Sequence, residues 1–226
     1  GVGFVVSLFD KVEVPKTEEL VEKVSEVSRI STVTYSDGSL VSEVNSDLLR
    51  IPVTSEEVSD YLKQAVIATE DETFETHNGV VPKAVLRAAL GSIGLGSSSG
   101  GSTLTQQLIK QQLVGDAPTF TRKANEIVSA LALERNMTKN EILTIYLNVS
   151  PFGRNNQGKN IAGVEAAARG IFGKTAKELS VPQAAYIAGL PQSPIVYSPY
   201  ASDGTRKSDD DMIYGIERYQ DVLYNM

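Results

Sequence analysis

Cysteine is absent from all 226 residues, and histidine occurs once. Without thiols there is no disulfide and no thiolate metal site, and one imidazole cannot build the usual zinc constellations. Any metal would therefore sit on oxygen ligands. Basic charge is also short: 21 Lys and Arg stand against 28 Asp and Glu, a net charge of −7. With no overall cationic field to collect phosphates, a general nucleic-acid binder is excluded, though a local cationic groove is not. Long hydrophobic runs are missing as well. Residues 1–9 (GVGFVVSLF) are apolar, but a spanning helix needs roughly 20 residues; the stretch reads as a core strand or, the reading we favour, the tail of a longer anchor. The Gly- and Ser-rich residues 91–101 (GSIGLGSSSGG) are not followed by Gly-Lys-Ser/Thr, so they form no P-loop. They read as a mobile loop, either a linker or a substrate-gating element.

What is present is ordinary globular material. The 41% hydrophobic and 22% charged content suits one domain with a sizeable core. Leu20, Val21, Val24 and Val27 hint at a short helix. Next, β-formers flank Asp37-Gly38 (Thr32 to Tyr35 before, Leu40, Val41 and Val44 after), a hairpin signal. From Pro52 onward the pattern is helical. Thr54 and Glu57 fit a capping box, opening a helix whose apolar positions are Val58, Tyr61, Leu62, Ala65, Val66 and Thr69. Further helices are expected from Pro82, with Val81, Val85, Leu86, Ala89 and Leu90 on the apolar side, and over residues 102–110. Others are expected over 120–135, from the Thr138/Glu141 capping box to the stop at Pro151-Phe152-Gly153, over 161–172, and over 181–190 behind Ser180 and Pro182. From Ser198 the chain turns polar, and Asp209-Asp210-Asp211 reads as linker or tail.

The stretch around Glu70 is where stability alone would not have written this sequence. Glu70, Asp71, Glu72 and Glu75 crowd a helix C-terminus, where the macrodipole disfavours each negative charge by about 0.3 kcal/mol or more. One reading is a solvated acidic helix end. The other follows from Glu70 lying one turn beyond Val66, at the edge of the apolar stripe, where partial burial would make it a candidate general base. Thr103, Gln107 and Lys110 share a helix face, as do Arg122, Lys123 and Glu126. Taken singly, these are solvated faces or an i,i+4 Arg122–Glu126 pair contributing about 0.2–0.5 kcal/mol.

Order and spacing say more than the single motifs. Glu-Asp-x-x-Phe-x-x-His-x-Gly over 70–79 is followed by Gly-Gly-Ser-Thr-Leu-Thr-Gln-Gln over 100–107. Arg-Lys-x-x-Glu over 122–126 comes next, then Leu133-Glu134, and Lys-x-Glu-Ile-Leu-x-x-Tyr-Leu-Asn over 139–148. From about Ile51 to Tyr200 this series closely resembles the peptidoglycan glycosyltransferase (transglycosylase) domain of class A penicillin-binding proteins.

The resemblance implies a mainly α, lysozyme-like, two-lobed domain at 51–200. Before it would come a membrane-proximal segment with a small β-hairpin (1–50), and after it a linker toward a missing transpeptidase domain (201–226). It implies an inverting polymerase of lipid II that releases undecaprenyl pyrophosphate on the extracytoplasmic face of the cell membrane. Glu70 would be the catalytic base, and Glu126 the second important carboxylate, orienting Lys110 and Arg122 or holding Mg²⁺ or Mn²⁺. Asp71, Ser102, Thr103, Gln107, Lys110, Arg122 and Lys123 would be substrate contacts, with Phe74 and His77 structural. Expected partners are lipid II, the growing glycan strand, the membrane surface, moenomycin-type inhibitors and other cell-wall synthesis proteins, with no nucleic acid.

The sequence departs from the family pattern twice. Pro118 stands where some members carry an Arg, and Ile171 replaces the usual Tyr before Phe172. Neither Ser-x-x-Lys nor Lys-Thr-Gly occurs, so no β-lactam adduct is expected from these residues. Two carboxylates and a sugar also describe a lytic glycosidase, and an inactive glycan-binding scaffold is the third reading. The flanking cations favour a phosphorylated donor.

Overall fold

The computed structural model describes Glu19, Glu22, Val24, Val33–Thr34, Leu40–Val41 and residues 48–94, 101–112 and 119–226. The expected anchor tail, the Asp37-Gly38 turn, most of the early short helix and positions 95–100 of the Gly/Ser loop lie outside the described residues. Among the described residues, no helix is long and apolar enough to cross a membrane.

Strand β1 (Val33–Thr34) pairs antiparallel with β2 (Leu40–Val41), Val33 opposite Val41, which bears out the hairpin. Strand β3 (Leu48–Arg50) follows. Glu57 Oε1 then accepts from Thr54 N and Oγ1, each at 3.0 Å, but the motif caps only a 3-10 turn over Ser55–Glu57. Val58 is extended, and Ser59 accepts from Tyr61 N at 3.2 Å. Helix α1 (Asp60–Glu70) therefore starts there, later than expected.

Helix α2 (Pro82–Ser92) has Pro in its first turn, where a missing N–H is harmless. Helix α3 (Leu104–Gln112) opens on a capping pair that the sequence reading missed: Thr103 N donates to Gln106 Oε1 at 2.9 Å, and Gln106 N to Thr103 Oγ1 at 3.1 Å. Helix α4 (Thr119–Asn136) leads to α5 (Lys139–Val149), which starts on the expected Thr138/Glu141 box.

Pro151-Phe152-Gly153 does stop that helix, but as β4 (Pro151–Arg154); β5 (Asn160–Ala162) takes the start of the expected 161–172 helix. Helix α6 (Val164–Phe172) begins only after Gly163. Helix α7 (Val181–Ala188) carries the Ser180/Gln183 capping box, and α8 (Pro194–Tyr197) follows. Residues read as linker hold α9 (Ile213–Asn225).

The chain forms two compact units. One comprises Val27–Glu72 and Leu143–Met226. In it α1 packs on α7 and α9, with Leu62, Ala65 and Val66 buried from α1 and Ala184, Ala185, Ile187 and Ala188 from α7. The small alanines let the backbones approach closely. Alongside lies a sheet of order β3-β5-β4, with β3 parallel and β4 antiparallel to β5. Asn148 acts as an extra strand neighbour for Val53: its Oδ1 accepts from Val53 N at 2.9 Å and its Nδ2 donates to Val53 O at 2.8 Å. Both backbone groups of a buried residue are thus satisfied.

The other unit comprises Gly1–Glu26 and Thr73–Ile142. Here Leu104, Leu108 and Ile109 of α3 are buried, as are Ala124, Ile127, Ala130 and Leu133 of α4, and the two helices pack together. Helix α2 departs from expectation: Leu86 is 62% and Leu90 39% exposed. A 3.6-residue period tells which side chains share a face, not whether that face is covered.

Candidate active-site residues

Glu70 is the last residue of α1, and Asp71 follows as a buried C-cap. Glu72 and Glu75 are exposed, as a solvated helix end requires. Glu70 is not: its side chain is 10% exposed, and Arg218 Nη2 of α9 donates to its Oε1 at 2.9 Å. A guanidinium thus answers the charge that the helix dipole opposes. The sequence reading missed Arg218, because 148 positions separate the partners and the arginine lay in presumed linker. Tyr146 of α5 faces the same pair. Burial pushes its phenol well above the ordinary tyrosine range, and the Glu70 carboxylate adds to the rise. A hydrogen bond with Ser150 and the charge of Arg218 oppose it. Tyr146 therefore stays a neutral phenol beside the pair.

In the unit that contains α3 and α4, the structure gathers Ser102, Lys123 and Glu126. Lys123 Nζ donates to Glu126 Oε1 at 2.7 Å and to Ser102 Oγ at 3.0 Å. Glu126 is nearly buried, while the Lys123 side chain is 39% exposed, so the anchored ammonium still meets solvent. Glu126 thus has Lys123 as a partner, at i,i+3, which the i,i+4 expectation for Arg122 did not name. Arg122 is exposed. Gln107 Nε2 stands 3.5 Å from Ser102 O, at the margin of a hydrogen bond. Lys110 is exposed in the last turn of α3.

Thr103, expected on the solvent-facing polar stripe, is instead buried. Its hydroxyl donates to Gly79 O at 2.6 Å and accepts from Gln106 N, leaving it committed within the protein.

Phe74 and His77 belong to a second network of this unit. Phe74 is fully buried, 5.8 Å from the His77 ring. His77 Nδ1 accepts from Gly79 N at 2.9 Å, so the hydrogen-bond pattern assigns the ring proton to Nε2. Lys139 Nζ donates to His77 O and to Glu134 Oε1, each at 2.7 Å, and lies 4.6 Å over the Phe74 ring. Thr105 Oγ1 donates to the same glutamate oxygen at 2.8 Å. Gly79 closes the turn with φ +113°, and a Cβ there would lie 2.7 Å from Ala130 O. Lys139 and Glu134 were visible in the sequence motifs but had been assigned no role.

Among the described residues, no three Asp, Glu or His side chains converge on a metal position. Glu126 supplies one carboxylate. That suits Mg²⁺ held mainly by water and substrate phosphate, and does not suit an all-protein cage.

Residues 37–226 match the family model described as Transglycosylase. Among similar relatives is penicillin-binding protein 1A of Clostridium tetani, 37% identical over 182 residues, covering 78% of this chain and 22% of the relative. Penicillin-binding protein 1A of Escherichia coli is 36% identical over 204 residues, covering 89% and 23%. The protein of the same name from Pseudomonas aeruginosa is 38% identical over 164 residues, covering 72% and 19%. The chain thus spans about a fifth of the length of the curated relatives it matches.

Proposed function

The chain belongs to the transglycosylase family, and from that premise we propose that it polymerises lipid II into peptidoglycan glycan strands, with inversion at the anomeric carbon and release of undecaprenyl pyrophosphate. Glu70 accepts the proton of the acceptor's sugar hydroxyl as that oxygen attacks the anomeric carbon. The bond from that carbon to the diphosphate oxygen breaks, and the diphosphate leaves with the electron pair. Lys123, steadied by Glu126 and Ser102, meets the negative charge that develops on it; Lys110, Arg122 and Gln107 add contacts to the same substrate. A divalent cation held by Glu126 and the diphosphate would add Lewis-acid stabilisation. The same reading carries a lysozyme-like fold, work at the extracytoplasmic membrane surface, and moenomycin-type inhibitors as ligands of the diphosphate side.

The observation that carries this reading is the anchored, solvent-meeting ammonium of Lys123 in a chain of net charge −7. A hydrolase acting on uncharged glycan has no use for it.

The test offers lipid II and, separately, preformed glycan strands to the chain in detergent, with Mg²⁺ or with chelator. Growth of a product ladder from lipid II supports the polymerase. Shortening of preformed strands would support the lytic reading instead.

A further inference from the structure

Arg218 lies outside every motif by which the sequence was read, yet it grips Glu70. Three contacts fix its side chain within the unit of Val27–Glu72 and Leu143–Met226. Nη2 donates to Glu70 Oε1 at 2.9 Å, Nε donates to Gly189 O at 3.1 Å, and the guanidinium carbon stands 5.9 Å from the centre of the Tyr197 ring. The arm is only 14% exposed. Gly189, directly after α7, leaves room for this path: a Cβ there would lie 3.0 Å from Arg218 Cγ, close enough to push the arm aside slightly.

The planar fork thus joins the end of α7, through Gly189, to the end of α1, through Glu70, while its own backbone belongs to α9. Such a fork fixes direction as well as distance, which an ammonium cannot do. Glu70 especially needs this, because it ends its helix and has no following helical turn to restrain it.

The geometry points to Arg218 as a positioning residue for the Glu70 carboxylate, an inference that rests on the glycosyltransferase reading above. It touches no reacting atom. Its contribution is to hold the base in the orientation that accepts the hydroxyl proton, and misplacing a catalytic group by about 1 Å can cost on the order of 100-fold in rate. Helix α9 is then part of the catalytic apparatus and not merely a support for α1.

The experiment measures lipid II polymerisation by the parent chain, Arg218→Ala and Arg218→Lys, with kcat and KM separated and thermal melting recorded on the same preparations. We expect kcat to fall about 100-fold in Arg218→Ala with KM within about twofold. Arg218→Lys should keep the parental melting temperature and recover part of the rate, remaining about tenfold low because a lysine cannot reach both partners in the fork geometry. A parental kcat in either folded variant overturns the proposal. So does a rise in KM at constant kcat, which would make Arg218 a substrate contact. A loss of rate that merely follows loss of folded protein, with no rescue by lysine, would make it a strut. If Arg218→Ala does not fold, the lysine variant decides alone. An inactive parent chain would overturn the polymerase reading together with this one, whereas an active parent with an indifferent Arg218 overturns only this one.

Discussion

Lys123 shows what one side chain contributes when its neighbours fix it. Its pair with Glu126 is 2.7 Å long but more than a third open to solvent on the lysine side, so the pair contributes little to stability, on the order of 0–1 kcal/mol. Its value lies in placing a cation. Lys123→Ala should therefore lower kcat about 10²–10³-fold, the loss typical for removing one preorganised group that meets developing charge. Its melting temperature should stay within about 2 °C of the parent's, since so small a loss barely moves the transition. Steady-state kinetics beside calorimetry check both halves. This residue was legible in the sequence as a cation near a second carboxylate. Its bond to Glu126 was not: the i,i+4 rule points to Arg122, and only the structure shows the i,i+3 contact from Lys123. Arg218 was not legible at all, since nothing local marks a contact across 148 positions.

Among the elements, the turn between Phe74 and Gly79 and the start of α5 depend on one ion pair. Lys139 bonds to Glu134, whose side chain is 7% exposed, to the carbonyl of His77, and lies over Phe74. Removing the ammonium leaves a nearly buried carboxylate without its counter-ion, which costs about 3 kcal/mol. Lys139→Met should thus lower the denaturant midpoint markedly, checked by urea titration followed by circular dichroism. A shift below about 0.5 kcal/mol would show that the pair is dispensable.

Helix existence was readable at this scale, and so was the box at Thr138/Glu141; at Ser180 the start was readable, but its partner Gln183 was not singled out. Strands β4 and β5 were not, because their few residues show no period, and β5 also pairs with β3 from far earlier in the chain. The start of α1 was misplaced because Thr54 and Ser59 both offer caps, and extended Val58 assigns the helix to the second.

At the scale of the whole molecule, an acidic chain keeps an ammonium anchored at Lys123 and a guanidinium at Arg218, each bonded to one of the two carboxylates singled out by sequence. That distribution is the physical content of the proposed chemistry: a base made ready by one cation, and a leaving group met by another. Charge composition argued against a general nucleic-acid binder but could not separate transfer from hydrolysis. The ordered motifs named the family, and the ion pairs supply the reason those residues are where they are.

The central claim is tested most directly by single-turnover polymerisation of lipid II with Glu70→Gln beside the parent chain. The substitution keeps shape and hydrogen bonding at Arg218 while removing the group that takes the proton. A fall of at least about 10²-fold in the bond-forming rate, with lipid II binding retained, is the predicted result. An unchanged rate in Glu70→Gln would contradict the account.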